Sequence, residues 1–133
     1  MSVPPDLQFF MMSEFRHPDL VDAWSARQLD GVRATYGESL TITDDARTAD
    51  DLPPGSAGSN SLHRKGQAFD LRTRDKTEQQ MWSLVDAIYV TAATIPVAIG
   101  GVELELVASS TDHHLHVGWF KDGRPSRLLI RAE

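Results

Sequence analysis

Two stretches of the chain carry apolar residues at helical spacing. The clearer one begins at Thr77, because Thr77 and Gln80 have the spacing of a capping box ahead of an apolar stripe. The stripe recurs at i, i+3, i+4, i+7 and i+11, at Met81, Leu84, Val85, Ile88 and Ala92. An earlier helical pattern opens at Pro18-Asp19 and has Gly37 as its predicted C-cap.

Other segments are typical of strands. The alternating or short apolar runs that predict them lie at residues 40–43, 68–71 and 114–119. Residues 97–99 and 102–107 flank Gly100-Gly101, which predicts a hairpin with a two-glycine turn. Because helices and hairpin strands are segregated along the chain, we expect an α+β fold, with a mainly antiparallel sheet and helices packed against it.

Length and composition narrow the class of protein. The 133 residues fit one small domain, in which residues 1–12 are an irregular lead-in. The chain is 41% hydrophobic and 24% charged, which is ordinary for a globular protein. No apolar run approaches the ~20 residues that a membrane helix needs, so no membrane insertion is expected. The net charge of −6 argues against nucleic acid as a partner. We expect the protein to be a monomer.

The chain has no cysteine, which changes the candidate chemistry. Disulfides, thiolate nucleophiles and cysteine-based zinc sites are excluded together. Any metal site must therefore use His, Asp and Glu side chains, a ligand set that suits a catalytic ion better than a structural one.

Two clusters of polar residues, at 61–70 and 112–116, have the composition of a metal site. On one helix, His63 and Asp70 would lie about 10 Å apart, too far to share an ion. A tight turn at Gly66 would instead let the chain run back, so that the two side chains meet. In a strand, His114 and His116 would share one face, and a third ligand from this segment would leave a fourth position open for water.

The pattern S-x-H-x-x-G-x-A-x-D, followed by H-x-H, resembles the zinc D-Ala-D-Ala carboxypeptidase family (peptidase family M15). That family also includes vancomycin-resistance dipeptidases and phage L-alanyl-D-glutamate endopeptidases. The resemblance runs from about residue 13 to residue 119. It implies a Hedgehog/DD-peptidase-like fold, one Zn²⁺ ion and hydrolysis of a peptide bond by zinc-bound water.

The resemblance also assigns roles to individual residues. It makes His63, Asp70 and His116 the metal ligands. Arg47 matches the family's arginine that contacts substrate and stabilises the developing oxyanion, a role that suits a permanently charged guanidinium. Ser61 would lie beside the metal and bind substrate or orient a ligand.

The general base is the position where this chain departs from part of the family. Dipeptidases and endopeptidases have Glu three residues before the last ligand, where this chain has His113. The zinc carboxypeptidases have His two residues before it, which corresponds to His114. We therefore expect His114 to transfer protons, with Asp112 orienting it or acting as the base. His113 itself, and Glu103 and Glu105 on a neighbouring predicted strand, remain alternatives.

These expectations point to a zinc metallopeptidase of the bacterial cell wall, whose partner is a peptidoglycan stem peptide. The bond would be D-Ala-D-Ala or L-Ala-D-Glu, and the residues do not choose between them. The N-terminus does not resemble a signal peptide, so the chain would be made in the cytoplasm and reach the wall after release or delivery, as phage lysins and virion-associated enzymes do. The alternative is a non-catalytic zinc module of the same fold, as in Hedgehog domains, that binds wall peptide or a protein partner.

Overall fold

The fold is described by a computed structural model. It describes residues 2–45, 62–63, 65–96, 99–108, 113–121 and 126–132. The two α-helices are α1 (Ala23–Tyr36) and α2 (Glu78–Ala92). The strands are β1 (Ile42–Asp44), β2 (Ala68–Arg72), β3 (Gly101–Ala108), β4 (His113–Phe120) and β5 (Arg127–Ala132). Short 3₁₀ turns lie at Met12–Glu14 and Pro18–Leu20.

Local capping explains where both helices begin and end. α2 begins after Thr77, whose hydroxyl accepts from the Gln80 N–H at 3.1 Å while the Gln80 side chain accepts from the Thr77 N–H at 2.8 Å, which confirms the predicted capping box. α1 ends at Gly37, which has a φ of 80° and confirms the predicted C-cap. Its predicted start was wrong, because Asp22 is the N-cap and accepts from the Ser25 N–H at 3.0 Å.

The strands form one sheet in the order β1-β2-β4-β3-β5. The β1–β2, β2–β4 and β3–β4 pairs are antiparallel, whereas β3 and β5 are parallel. The α+β class is therefore confirmed, with a mixed sheet. The sequence prediction did not include β5, and the strand that it placed last, at 114–119, is β4.

The predicted hairpin around the glycine pair was wrong. The N–H groups of Ile99 and Gly100 donate to the carbonyl of Pro96 at 2.8 and 3.2 Å, and β3 pairs with β4 on one edge and with β5 on the other, so both edges of β3 are occupied by other strands. A two-residue type I′ turn requires positive φ at both positions, and neither Gly100 nor Gly101 has it. A Cβ on Gly100 would overlap the carbonyl oxygen of Phe120, so here the glycine permits close backbone packing. Residues 97 and 98 lie outside the described residues.

The sheet has one apolar face and one polar face, as the alternation of side chains along its strands dictates. The apolar face packs against both helices. Its buried residues include Phe69, Leu71, Leu104, Leu115, Val117 and Trp119, in one cluster with Leu29, Val32, Leu84 and Ile88 of the helices. Val3 and Phe10 of the lead-in belong to the same cluster, so this irregular segment is part of the core. No helix in the described ranges is long and apolar enough to cross a membrane.

Candidate metal centre

The register of the sheet brings the candidate ligands into one row on the polar face. Asp70 of β2 lies directly opposite His116 of β4, and His116 lies opposite Glu105 of β3. Directly opposite residues in antiparallel strands share a face, with Cβ atoms about 4.5–5.5 Å apart. Two ligands that are distant in sequence are therefore neighbours because of strand pairing.

His63 reaches the same row from the turn that precedes β2. The Gly66 N–H donates to the His63 carbonyl at 3.1 Å, and Gly66 has a φ of 71°. A Cβ there would overlap the carbonyl oxygen of Leu20, so both conformation and space require glycine. The tight turn predicted at this position is confirmed. The Gln67 carbonyl then accepts from the Trp119 N–H at 2.8 Å, which attaches the turn to β4.

Three ligand atoms converge there at nearly equal distances. His63 Nε2 lies 3.1 Å from Asp70 Oδ1 and 3.1 Å from His116 Nδ1. The third side of the triangle, His116 Nδ1 to Asp70 Oδ1, is 3.2 Å. Tetrahedral ligands at ~2.0–2.1 Å from zinc are about 3.3 Å from one another, so the triangle fits a tetrahedral ion with small adjustment. The His63, Asp70 and His116 group could therefore hold a metal ion.

An outer contact orients His63. Its Nδ1 lies 2.6 Å from the carbonyl oxygen of Asp45, so Nδ1–H donates and Nε2 keeps its lone pair for a metal. The buried Asp45 carboxylate accepts the N–H groups of Arg16 at 2.6 Å and His17 at 3.2 Å. This network holds the chain after β1 against the segment before α1, and so positions the carbonyl that His63 needs.

His116 has a carboxylate behind its other nitrogen. Its Nε2 lies 3.7 Å from Glu103 Oε1, and Glu103 Oε2 accepts from Arg127 Nη2 at 2.9 Å. A carboxylate behind a metal-binding imidazole is a common outer contact, because it orients the ring and raises the basicity of the ligand. Glu103, an alternative base in the sequence analysis, is therefore placed to support the ligand.

The same contacts perturb three pKa values. Burial alone would raise the pKa of Asp70, but hydrogen bonds from His116 and His63 outweigh it and hold that pKa well below its usual range. The attraction of His116, opposed by burial and assisted by Arg127, lowers the pKa of Glu103 to about 2. Burial would lower the pKa of His116, but Asp70 and Glu103 outweigh it and raise that pKa to about 9. The metal-free site therefore favours a proton on His116, which a metal would displace.

The other predicted site residues on β3 and β4 lie on different faces of the sheet. His114 is half-buried and lies on the polar face by strand alternation, one step along β4 from His116. His113 is exposed, and alternation directs it to the opposite face. Glu105 shares the face and the row of His116.

Three predicted residues, Arg47, Ser61 and Asp112, lie outside the described residues. Sequence reasoning missed two contributors in the described part of the chain, the Asp45 carbonyl and Arg127. No sequence motif identifies a main-chain carbonyl that orients a metal-binding histidine. The position of Arg127 beside Glu103 follows only from the parallel pairing of β5 with β3.

The fold and the site together define an α+β domain with a candidate His-Asp-His metal centre on the polar face of its sheet. Comparison with protein-family models, with curated proteins and with solved structures finds no match.

Proposed function

We propose that the chain is a zinc-dependent peptidase with a Hedgehog/DD-peptidase-like fold that hydrolyses a peptidoglycan stem-peptide bond, D-Ala-D-Ala or L-Ala-D-Glu. The observation that carries the proposal is the triangle of two imidazole nitrogens and one carboxylate oxygen, with sides of 3.1, 3.1 and 3.2 Å. Its residues are those that the S-x-H-x-x-G-x-A-x-D and H-x-H patterns contribute.

The composition of the ligand set favours a catalytic ion. Structural zinc sites are usually closed by four protein ligands, whereas catalytic sites have three and keep one position open. Only three side chains meet here among the described residues. A zinc ion held by them would supply a Lewis acid and lower the pKa of a water toward ~7.

His114 is the side chain that we assign to proton transfer. It would accept a proton as water adds to the amide carbonyl carbon, and deliver it to the nitrogen as the C–N bond breaks, leaving a carboxylate and an amine. Its support is its place on the polar face, one step along the strand from His116. From the resemblance, Arg47 would stabilise the oxyanion, Ser61 would bind substrate, and Asp112 would orient His114.

The test is hydrolysis of purified peptidoglycan and of N-acylated peptides that contain each bond. New amino and carboxyl termini should form with the zinc-loaded chain, disappear with a chelator and return when zinc is restored. His63→Ala should abolish both zinc binding and hydrolysis, whereas His113→Ala is the matched control on the opposite face. Zinc binding without hydrolysis of any of these substrates would favour the non-catalytic module, and absence of zinc binding would refute both.

A further inference from the structure

The polar face is covered on one side of the row that contains Asp70, His116 and Glu105. Leu62 packs with Ala68 and Phe120 over the adjacent row, where Ala68 lies opposite Gly118. A Cβ on Gly118 would lie 2.6 Å from Leu62 Cδ1 and 3.0 Å from Glu103 Cγ, so the missing side chain leaves room for the turn that carries His63. Within the described residues this side of the ligands is covered, so we expect a substrate to approach from the other side.

On that other side, the next row of the sheet contains Arg72 and His114. The two lie directly opposite each other on β2 and β4, and each is two residues from a candidate ligand on its own strand. Residues i and i+2 of a strand share a face and are about 6.6–6.8 Å apart. A cation therefore lies one step from the candidate metal site, in the same row as the proposed proton-transfer residue.

The Arg72 side chain is available to a ligand. It is exposed, and within the described residues its guanidinium makes no hydrogen bond or ion pair. It borders a polar cleft that Tyr36 and Lys76 also line. Glu38 and Asp75 line the same cleft, so its charges are mixed, and Lys76, its other cation, lies 5.0 Å from the centroid of the Tyr36 ring.

We propose that Arg72 binds the free α-carboxylate of the residue on the leaving side of the cleaved amide, an inference that rests on the proposed peptidase function. The two candidate bonds share this group. In D-Ala-D-Ala the carboxylate is the C-terminus, and in the stem peptide D-Glu is linked through its side chain, so its α-carboxylate is also free. In both, the carboxylate is on the carbon bonded to the amide nitrogen.

The distances are compatible with this arrangement. Standard bond lengths put the carboxylate carbon roughly 3–3.7 Å from the carbonyl carbon that is attacked. A charge-assisted hydrogen bond adds about 2.8 Å, so the guanidinium has to lie roughly 6–7 Å from that carbonyl carbon. The Cα of Arg72 is one strand step, about 6.6–6.8 Å, from that of Asp70, and its long side chain can reach back over that row. With the carbonyl over the row of Asp70 and His116, the carboxylate would lie toward Arg72, whose planar guanidinium can bind both oxygens.

The experiment compares Arg72→Gln with wild type on two matched substrates, an N-acylated peptide ending in D-Ala-D-Ala and the same peptide with a C-terminal amide. Wild type should prefer the acid. In the variant, kcat/KM for the acid should fall roughly ten- to hundredfold, the range for loss of a charge-assisted hydrogen bond, while kcat/KM for the amide stays within about twofold. Arg74→Gln, an equal loss of charge at an exposed position, should leave both values unchanged.

An unchanged acid-to-amide ratio in Arg72→Gln would overturn the inference while leaving the peptidase function intact. If zinc-loaded wild type cuts neither peptide, the proposed hydrolysis fails for this bond, and calorimetric binding of the acid and the amide decides the role of Arg72 separately. Tighter binding of the acid that is lost in Arg72→Gln would support the contact. Equal binding of acid and amide by wild type would refute it.

Discussion

Glu103→Gln tests whether the carboxylate behind His116 controls the affinity of the site for metal. In the metal-free chain, the hydrogen bond with Asp70 and the ion pair with Glu103 outweigh burial and raise the pKa of His116 to about 9. Zinc must displace that proton, which weakens apparent binding roughly hundredfold at pH 7 but only about twofold at pH 9. The affinity of wild type should therefore rise about fiftyfold over this range from His116 alone.

The variant should show two opposing effects. Loss of an outer contact to a metal-binding imidazole typically costs ~10–100-fold in affinity. Loss of the same acceptor also lowers the pKa of His116 from about 9 toward its ordinary 6.5, so the proton competes less at pH 7. The deficit of Glu103→Gln relative to wild type should therefore be larger at pH 9 than at pH 7.

The assay is competition for zinc against a chelator of known affinity at both pH values. At each pH, protons released elsewhere in the site cancel when the affinity of Glu103→Gln is divided by that of wild type. The change in this ratio between pH 7 and pH 9 therefore reports on His116. Asp86→Asn, an exposed carboxylate on α2 across the sheet, is the control and should match wild type. Equal deficits at the two pH values, or titration of His116 near 6.5 by NMR in the metal-free wild type, would refute the reasoning.

Other predictions concern space, chemistry and stability. Gly118→Ala should lower zinc affinity and cost about 1–3 kcal/mol of unfolding free energy in thermal unfolding, because its Cβ would displace Leu62. The control is Gly31→Ala in α1, which should be neutral or stabilising because the nearest atom to its Cβ is 3.6 Å away. His114→Ala should keep zinc binding and lose ~10²–10⁴-fold in peptide hydrolysis, and full activity would exclude it as the proton-transfer residue. In the metal-free chain, the raised pKa of His116 stabilises the fold below 6.5, and denaturant titrations should show that contribution lost as the pH rises through about 9.

Elements with local signals could be predicted from the sequence. The capping box at Thr77 and the C-cap at Gly37 depend on residues within one helical turn, and both are confirmed. The turn at Gly66 was predicted for the same reason, since only glycine adopts its backbone conformation without strain.

Elements that depend on distant partners could not be predicted. The glycine pair at 100–101 has the composition of a hairpin turn, but contact with Phe120, distant in sequence, decides its role. β5 was missed because its parallel pairing with β3 has no signal in adjacent residues. The contact between Glu103 and His116 likewise follows only from the pairing of β3 with β4.

X-ray absorption at the zinc edge of the reconstituted chain tests the central claim most directly. The account predicts one zinc per chain, with two imidazole nitrogens and oxygen ligands at ~2.0–2.1 Å in a four-coordinate shell. In Asp70→Asn or His116→Ala, that shell should be lost or altered. A chain that retains no zinc, or a zinc shell without imidazole scattering, would contradict the account.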